Sequence, residues 1–211
     1  MADEPRPSRA SAARLSLYLR CLEGWRRDGR ATTSSRDLAA ALGVGAAQVR
    51  KDLSYLGGLG RRGVGYKVTD LAGAIRSALG IDRDWSAVVV GAGNLARALL
   101  RYRGFPERGF RLVGLFDSDA RKVGQRVETL TVEPVSDLSR RVKSLGTELG
   151  IVAVPWEAAQ DVGDSLANAG VRGILNFAPV VLRLPPGVAV VNVDLTIQLE
   201  QLAFQVQAGR E

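Results

Sequence analysis

The alternation of apolar and polar positions divides the chain into two stretches with different periods. Up to Gly80, apolar residues recur at three- and four-residue steps, the spacing of helices that bury one face. Leu15, Leu19, Leu22 and Trp25 share such a face, and Asp28-Gly29 ends that helix. Thr32-Thr33-Ser34-Ser35 offers hydroxyls to start the next, with Ser34 and Asp37 spaced as an acidic form of the capping box. This short helix is expected to bury Leu38, Ala41 and Leu42 and to stop at Gly43, a residue suited to a left-handed C-terminal position. After Val44-Gly45, a third helix is expected from Ala46 to about Leu56, with Val49, Leu53 and Leu56 turned inward. Between Leu59 and Val68 the helical period breaks into a glycine-rich β-ribbon. Thr69 is expected to cap a fourth helix, with Leu71, Ile75 and Leu79 on its apolar face and Gly80 closing it.

From Ser86 the period changes. Ala87 to Val90 is an unbroken β-branched run, as in a buried parallel strand, and Leu95, Ala98 and Leu99 begin a helix directly after it. Strands are expected at Leu112–Phe116, Leu130–Val132, Leu149–Val154, Gly173–Phe177 and Val188–Val193. Helices are expected near Ser136–Leu145 and Trp156–Ala169. Strands alternating with helices predict an α/β sheet of parallel strands. The last segment places Leu195, Leu199, Leu202 and Val206 on one stripe, with Asp194 as its cap. It can dock on its own sheet or on a second subunit. The divisions expected are a helical domain over 1–80, a parallel-sheet domain over 81–193 and a terminal helix over 194–211.

Charge separates the two stretches further. Residues 1–80 carry 14 Lys and Arg against 7 Asp and Glu, whereas the remainder carries 15 of each, so the whole excess of +7 lies in the first stretch. Such asymmetry points to a polyanionic partner for the helical domain. Two short helices joined by a Gly-containing turn form a helix-turn-helix. On its second helix Gln48, Arg50, Lys51, Ser54 and Tyr55 lie largely off the apolar face, free to meet base edges or phosphates. Arg61, Arg62 and Lys67 on the ribbon suit a narrow, electronegative minor groove, which makes the whole a winged helix. A solvated hairpin is the plainer reading of the ribbon.

In the second stretch Gly91-Ala92-Gly93-Asn94-Leu95-Ala96 follows the first strand and opens a helix, the setting in which G-x-G-x-x-G/A binds a dinucleotide. Gly91 permits the tight turn, Gly93 lets a pyrophosphate approach the backbone, and Ala96 stands at the close helix–strand contact. Asp117 ends the second strand, where an acid meets the adenosine ribose hydroxyls and disfavours a 2′-phosphate; Arg121 and Lys122 lie nearby. Val154-Pro155 and Asn176-Phe177-Ala178-Pro179 fall at strand carboxyl ends and are candidate pocket rims, although a proline that merely ends a strand reads the same. A Rossmann-type domain that has lost its nucleotide also remains open.

Helix-turn-helix, basic wing, dinucleotide fingerprint and terminal amphipathic helix together resemble the Rex family of redox-sensing transcriptional repressors. The likeness spans nearly all of the chain after about Ser11. It is most specific at Gln48–Tyr55, Arg62–Tyr66, Gly104-Phe105 with Arg108-Gly109-Phe110, Gly173–Pro179 and Asn192-Val193-Asp194. Ala96 stands where many members have Gly, Leu56 where an aromatic is common, and Arg61 adds charge to the wing. The resemblance implies a homodimer whose C-terminal helix is swapped into the partner, and a roughly palindromic double-stranded DNA operator. It further implies NAD(H) as a regulatory ligand: NADH closes the dimer and releases DNA, and NAD+ competes for the pocket. By the same likeness Tyr102 sits near the nicotinamide, Arg20 and Asp194 of the partner subunit join it in a polar network, and Arg62 enters the minor groove.

Composition limits the rivals. The chain has no histidine and one cysteine, Cys21, so a Cys/His metal site and an internal disulfide are both unavailable. A dehydrogenase needs an acid or base near the nicotinamide, yet none of Tyr18, Tyr55, Tyr66 or Tyr102 has a Lys four residues later. A regulator that senses another nucleotide, such as coenzyme A, is the second alternative. No apolar run approaches the roughly 20 residues of a membrane span, and one cysteine with a polar N-terminus suggests the cytoplasm.

Overall fold

Ser8 opens the first helix, α1 (Arg9–Arg27), in the computed structural model, which describes residues 7–61 and 63–209; its hydroxyl accepts from the Ser11 N–H. The contacts of the chain divide it into two compact units, Met1–Arg83 and Asp84–Glu211. In the first, α1 buries Leu15, Tyr18, Leu19 and Leu22. Strand β1 (Thr32–Thr33) follows, and then the capping box. The Ser34 hydroxyl accepts from the Asp37 N–H at 3.2 Å, and the Asp37 carboxylate accepts from the Ser34 N–H at 2.8 Å. Helix α2 (Ser35–Leu42) ends at Gly43, whose φ is +65°. Its inward face runs through Ser35, Leu38 and Ala39, with Leu42 half-buried. Ala41, expected inside, lies about a third of a turn away from that face and is exposed.

Helix α3 (Ala46–Leu53) tightens into a 3-10 turn at Ser54–Leu56, and α4 (Val68–Ala78) closes the unit. The start of α4 is set by a strand rather than by a side chain. β2 (Tyr66–Lys67) pairs antiparallel with β1, and the Val68 N–H donates to the Ala31 carbonyl. Lys67 therefore occupies the cap position, and the Thr69 hydroxyl, expected to cap, donates to Asp70 instead. Ahead of β2 the ribbon closes where Arg61 and Gly65 exchange two backbone hydrogen bonds of 2.9 Å. Gly65 is required there. Its φ is +88°, and a Cβ would stand 2.2 Å from the Thr33 carbonyl oxygen.

The second unit is built on a seven-stranded sheet. In chain order its elements are β3 (Trp85–Val90), α5 (Asn94–Arg101), β4 (Phe110–Asp117), β5 (Arg126–Val127), β6 (Leu130–Pro134), α6 (Leu138–Leu145), β7 (Leu149–Val152), α7 (Trp156–Asn168), β8 (Gly173–Asn176), β9 (Ala189–Asn192) and α8 (Leu195–Ala208). The strand order is β5-β6-β4-β3-β7-β8-β9, parallel throughout except for the β5–β6 pair. Strand order reverses between β3 and β7, which opens a crevice at their carboxyl ends. Val88, Val90, Phe116 and Val152 pack one face of the sheet with α6 and α7, while Val89, Leu115 and Ile151 pack the other with Ala92 and Ala96. Ala96 is fully buried at that contact, the place the fingerprint assigns to a small residue. No side chain of α8 is buried, and Leu199 (65% exposed), Phe204 (72%) and their apolar neighbours face outward.

Candidate functional site

The crevice at the reversal holds a cavity of about 590 Å³. Gly91 and Gly93 form its floor, Ala153, Val154 and Pro155 one wall, and Asp117 to Asp119 with Lys122 another; Ala158, Asp161, Val162 and Ser165 of α7 complete it. The two glycines have different tasks. Gly91 has φ +103°, and a Cβ there would meet the Ala153 carbonyl oxygen at 2.2 Å, so the chain itself requires Gly. Around Gly93 a Cβ would find nothing within 4 Å, so this position is open for a ligand to approach. α5 begins directly after it with no side-chain cap, and its first N–H groups and positive dipole end suit a phosphate.

Asp117 behaves differently from a free ribose acceptor. Its Oδ2 accepts from the Ala92 N–H at 2.8 Å and from Lys122 Nζ at 2.9 Å, and its Oδ1 from the Asp119 N–H at 2.8 Å. Burial works against the charged carboxylate, but these three donors outweigh it and hold the pKa below its ordinary value. The acid thus pins the glycine turn as well as facing the cavity. A carboxylate has about four lone-pair directions, so with three donors bound one is left for a further donor. Arg121 does not compete, because Asp119 takes its guanidinium through two bonds of 3.0 and 2.9 Å.

Other expected pocket residues lie elsewhere. Asn176 is buried: its Nδ2 donates to the Ala178 and Val180 carbonyls and to Asn192 Oδ1, and its Oδ1 accepts from the Ala178 N–H. Its amide therefore ties β8 to the loop and to β9. Phe177 packs in the core, Ala178 is buried and Pro179 is exposed; none of the three lines the cavity. Asn94 and Leu95 are exposed on α5. Tyr102 is 56% exposed and meets Phe105 edge-on at 5.1 Å. The Asp194 carboxylate accepts from the N–H groups of Thr196 and Ile197 at the start of α8, and Arg20 is exposed on α1.

The helical unit offers a second surface. Arg50, Lys51, Ser54 and Tyr55 of the α3 segment are exposed, as are Arg61 and Lys67 on the ribbon; Arg62 lies outside the described residues. The Ser54 hydroxyl donates to the Lys51 carbonyl at 2.7 Å. Gln48 is half-buried, and its Nε2 donates to Asp52 at 3.1 Å. Asp52 was not anticipated. It is fully buried on the inward face of α3, where Arg14 grips it with two bonds of 2.6 and 2.7 Å and the Tyr18 hydroxyl donates at 2.9 Å. The Arg14 bonds, against the cost of burial, hold its pKa down to about 2. Burial and the bond to Asp52 push Tyr18 up to about 12. The signal was present in the chain: Asp52 sits within the Val49, Leu53, Leu56 spacing, and a carboxylate on an apolar face requires a partner.

Both units match known sequences. Residues 8–54 match the family described as "Putative DNA-binding protein N-terminus", and residues 82–180 the family described as "CoA binding domain". The chain is 50% identical to the redox-sensing transcriptional repressor Rex of Carboxydothermus hydrogenoformans, over 94% of this chain and 95% of that one. Its counterpart in Streptomyces coelicolor is 48% identical, over 96% and 79% respectively. Among solved structures, RSP in complex with β-NAD+ and operator DNA superposes with a TM-score of 0.92 at 33% identity, covering 98% of this chain and 95% of that one. RSP in complex with β-NADH superposes at 0.88 with 32% identity, covering 97% and 96%.

Proposed function

The chain belongs to the Rex family of redox-sensing transcriptional repressors, and from that premise we propose that it represses transcription from a DNA operator and releases it on binding NADH. The observation that carries this reading is the cavity at the strand reversal: an open Gly93, an uncapped α5 N-terminus and an acid at the end of β4 form one dinucleotide-sized cleft. The relatives are repressors rather than enzymes, and NAD(H) acts here as a regulatory ligand. In the proposed assignment Gly91, Ala92, Gly93, Asn94, Leu95 and Ala96 shape the pyrophosphate turn, Asp117 faces the ribose, and Val154-Pro155 lines the opposite wall. Gln48, Arg50, Lys51, Ser54 and Tyr55 read the major groove, and Arg61, Arg62 and Lys67 the minor groove.

The active form in this reading is a cytoplasmic homodimer. Among the described residues no helix is long and apolar enough to cross a membrane. Leu195, Ile197, Leu199, Leu202, Phe204 and Val206 are all exposed on α8, an apolar helix that one chain leaves uncovered. A second copy covers it by exchange, bringing Tyr102, Arg20 and Asp194 of the partner subunit together. Dimeric helix-turn-helix proteins engage half-sites about 34 Å apart, so a modest rotation between subunits breaks simultaneous docking. Typical couplings of roughly 1–3 kcal/mol correspond to about 5- to 150-fold in affinity.

The test is a gel shift on the promoter of the chain's own gene, with and without NADH. Release by NADH and retention with NAD+ are expected; equal binding in both refutes the sensor. The match to a CoA-binding family supports one rival ligand. Coenzyme A carries a ribose phosphate that the Asp117 carboxylate opposes, so competition against NADH is expected to be weak.

A further inference from the structure

Between the two DNA-reading elements of the first unit lies a groove of about 680 Å³. Ser34, Ser35 and Arg36 from the start of α2 form one side, Arg50 of α3 the base, and Gly60, Arg61 and Gly63 to Tyr66 of the ribbon the other side. Arg36, Arg50 and Arg61 are exposed, and none of their guanidinium groups has a partner among the described residues. The acid nearest in sequence is committed elsewhere: the Asp37 carboxylate takes Arg30 and the Ser34 N–H. The Ser35 and Tyr66 hydroxyls lie 3.4 Å apart along the same groove.

The shape has a geometric consequence. When a helix enters the major groove and a wing the adjacent minor groove, one strand of the duplex must pass between them. What passes there is its sugar-phosphate backbone, not its bases. We infer that this groove seats a backbone phosphodiester and that Arg36, outside the reading helix and the wing, is its anchor. The inference rests on the DNA-binding reading above and adds a binding residue to it. Three guanidinium groups around one slot suit a phosphate by charge and by their forked donors. The bare backbone at Gly60 and Gly63 leaves room for the strand. Such a contact carries no base information, so Arg36 raises affinity for all duplexes alike.

The test uses the full chain and a random-sequence duplex of roughly 40 base pairs, followed by fluorescence anisotropy between about 50 and 200 mM KCl. For Arg36→Ala the slope of log K against log salt is expected to flatten by about 0.9 per protomer engaged. The wild-type advantage then shrinks about 3-fold per protomer across that range. Arg36→Lys keeps the charge and is expected to restore the slope. Because Arg36 is exposed, neither change threatens the fold, and an unaltered melting temperature verifies this. If wild type binds duplex and Arg36→Ala binds with the same affinity and slope, the inference is overturned while the DNA-binding reading stands. If wild type binds no duplex, that reading fails first. A free anion is the other source of such chemistry. Should Arg36→Ala abolish stabilisation by inorganic phosphate yet leave duplex binding unchanged, the groove holds a free phosphate and the inference falls.

Discussion

Replacing Asp52 by Asn removes one negative charge from the helical unit and leaves its shape nearly intact. The carboxylate is fully buried, gripped by Arg14 and Tyr18 from α1 and by Gln48 from its own helix, so the change removes the ion pair between α1 and α3 and replaces one acceptor oxygen by a donor facing other donors. Its pKa, lowered from 3.8 to about 2, sets the scale: at 1.36 kcal/mol per unit this corresponds to about 2 kcal/mol. A depressed folded-state pKa stabilises above the unfolded value and is lost as pH falls through the folded one. The contribution is therefore complete at neutral pH and declines between about pH 4 and pH 2. Trp25 reports on this unit, packed near its core with the Arg30 guanidinium 4.5 Å above its ring. In a Trp85→Phe, Trp156→Phe background, urea unfolding followed by Trp25 fluorescence should shift its midpoint down by about 1 M at pH 7 for Asp52→Asn. By pH 2.5 the shift should shrink to well under half of that. A shift below about 0.3 M at pH 7, or one of equal size at both pH values, refutes the assignment. The same variant should lose operator discrimination, since Gln48 is no longer held. In a Gln48→Ala background that second loss should vanish.

Four further outcomes follow from the geometry. Gly93→Val fills open space, so the fold should survive while NADH affinity, measured by titration calorimetry, falls at least about 10-fold and DNA binding ceases to respond to NADH. Gly91→Ala instead drives a methyl against the Ala153 carbonyl and should destabilise the second unit by about 3 kcal/mol or more, read by scanning calorimetry. Arg50→Ala should abolish preference for operator over random duplex in a gel shift, with NADH affinity intact. Leu199→Asp combined with Leu202→Asp places charge on the uncovered face of α8 and should yield monomer in analytical ultracentrifugation, with operator affinity reduced at least about 10-fold.

The elements with a sustained period were legible in the chain. The Leu15, Leu19, Leu22 face, the valine run of β3 and the glycine turn after it all took the expected form. What escaped were features set by partners distant in sequence. β1 and β2 are two residues each, too short to carry an alternation, and exist because they pair across the unit. That pairing also displaced Thr69 from the cap it was expected to fill. β5 is equally short and depends on the turn at Glu128, whose φ is +54°. At the sites, Asn176 ends a strand and therefore reads as a pocket residue, yet its amide nitrogen donates to the Ala178 and Val180 carbonyls at 3.1 and 2.8 Å and to Asn192 Oδ1 at 3.0 Å. Asp117 was anticipated by position, but its bonds to Ala92 and Lys122 required the fold. Asp52 could have been suspected from its place on an apolar face; Arg14 and Tyr18 as its partners could not.

The polar ties described above also bear on what the molecule ignores. Asp52 and Asp117 are driven towards greater acidity and Tyr18 towards greater basicity, and no histidine is present to change charge between them. The buried tie between α1 and α3 and the acid of the cleft thus keep one electrostatic state around neutral pH. These contacts therefore stay in place through small changes of proton concentration near neutrality, leaving the cofactor as what varies.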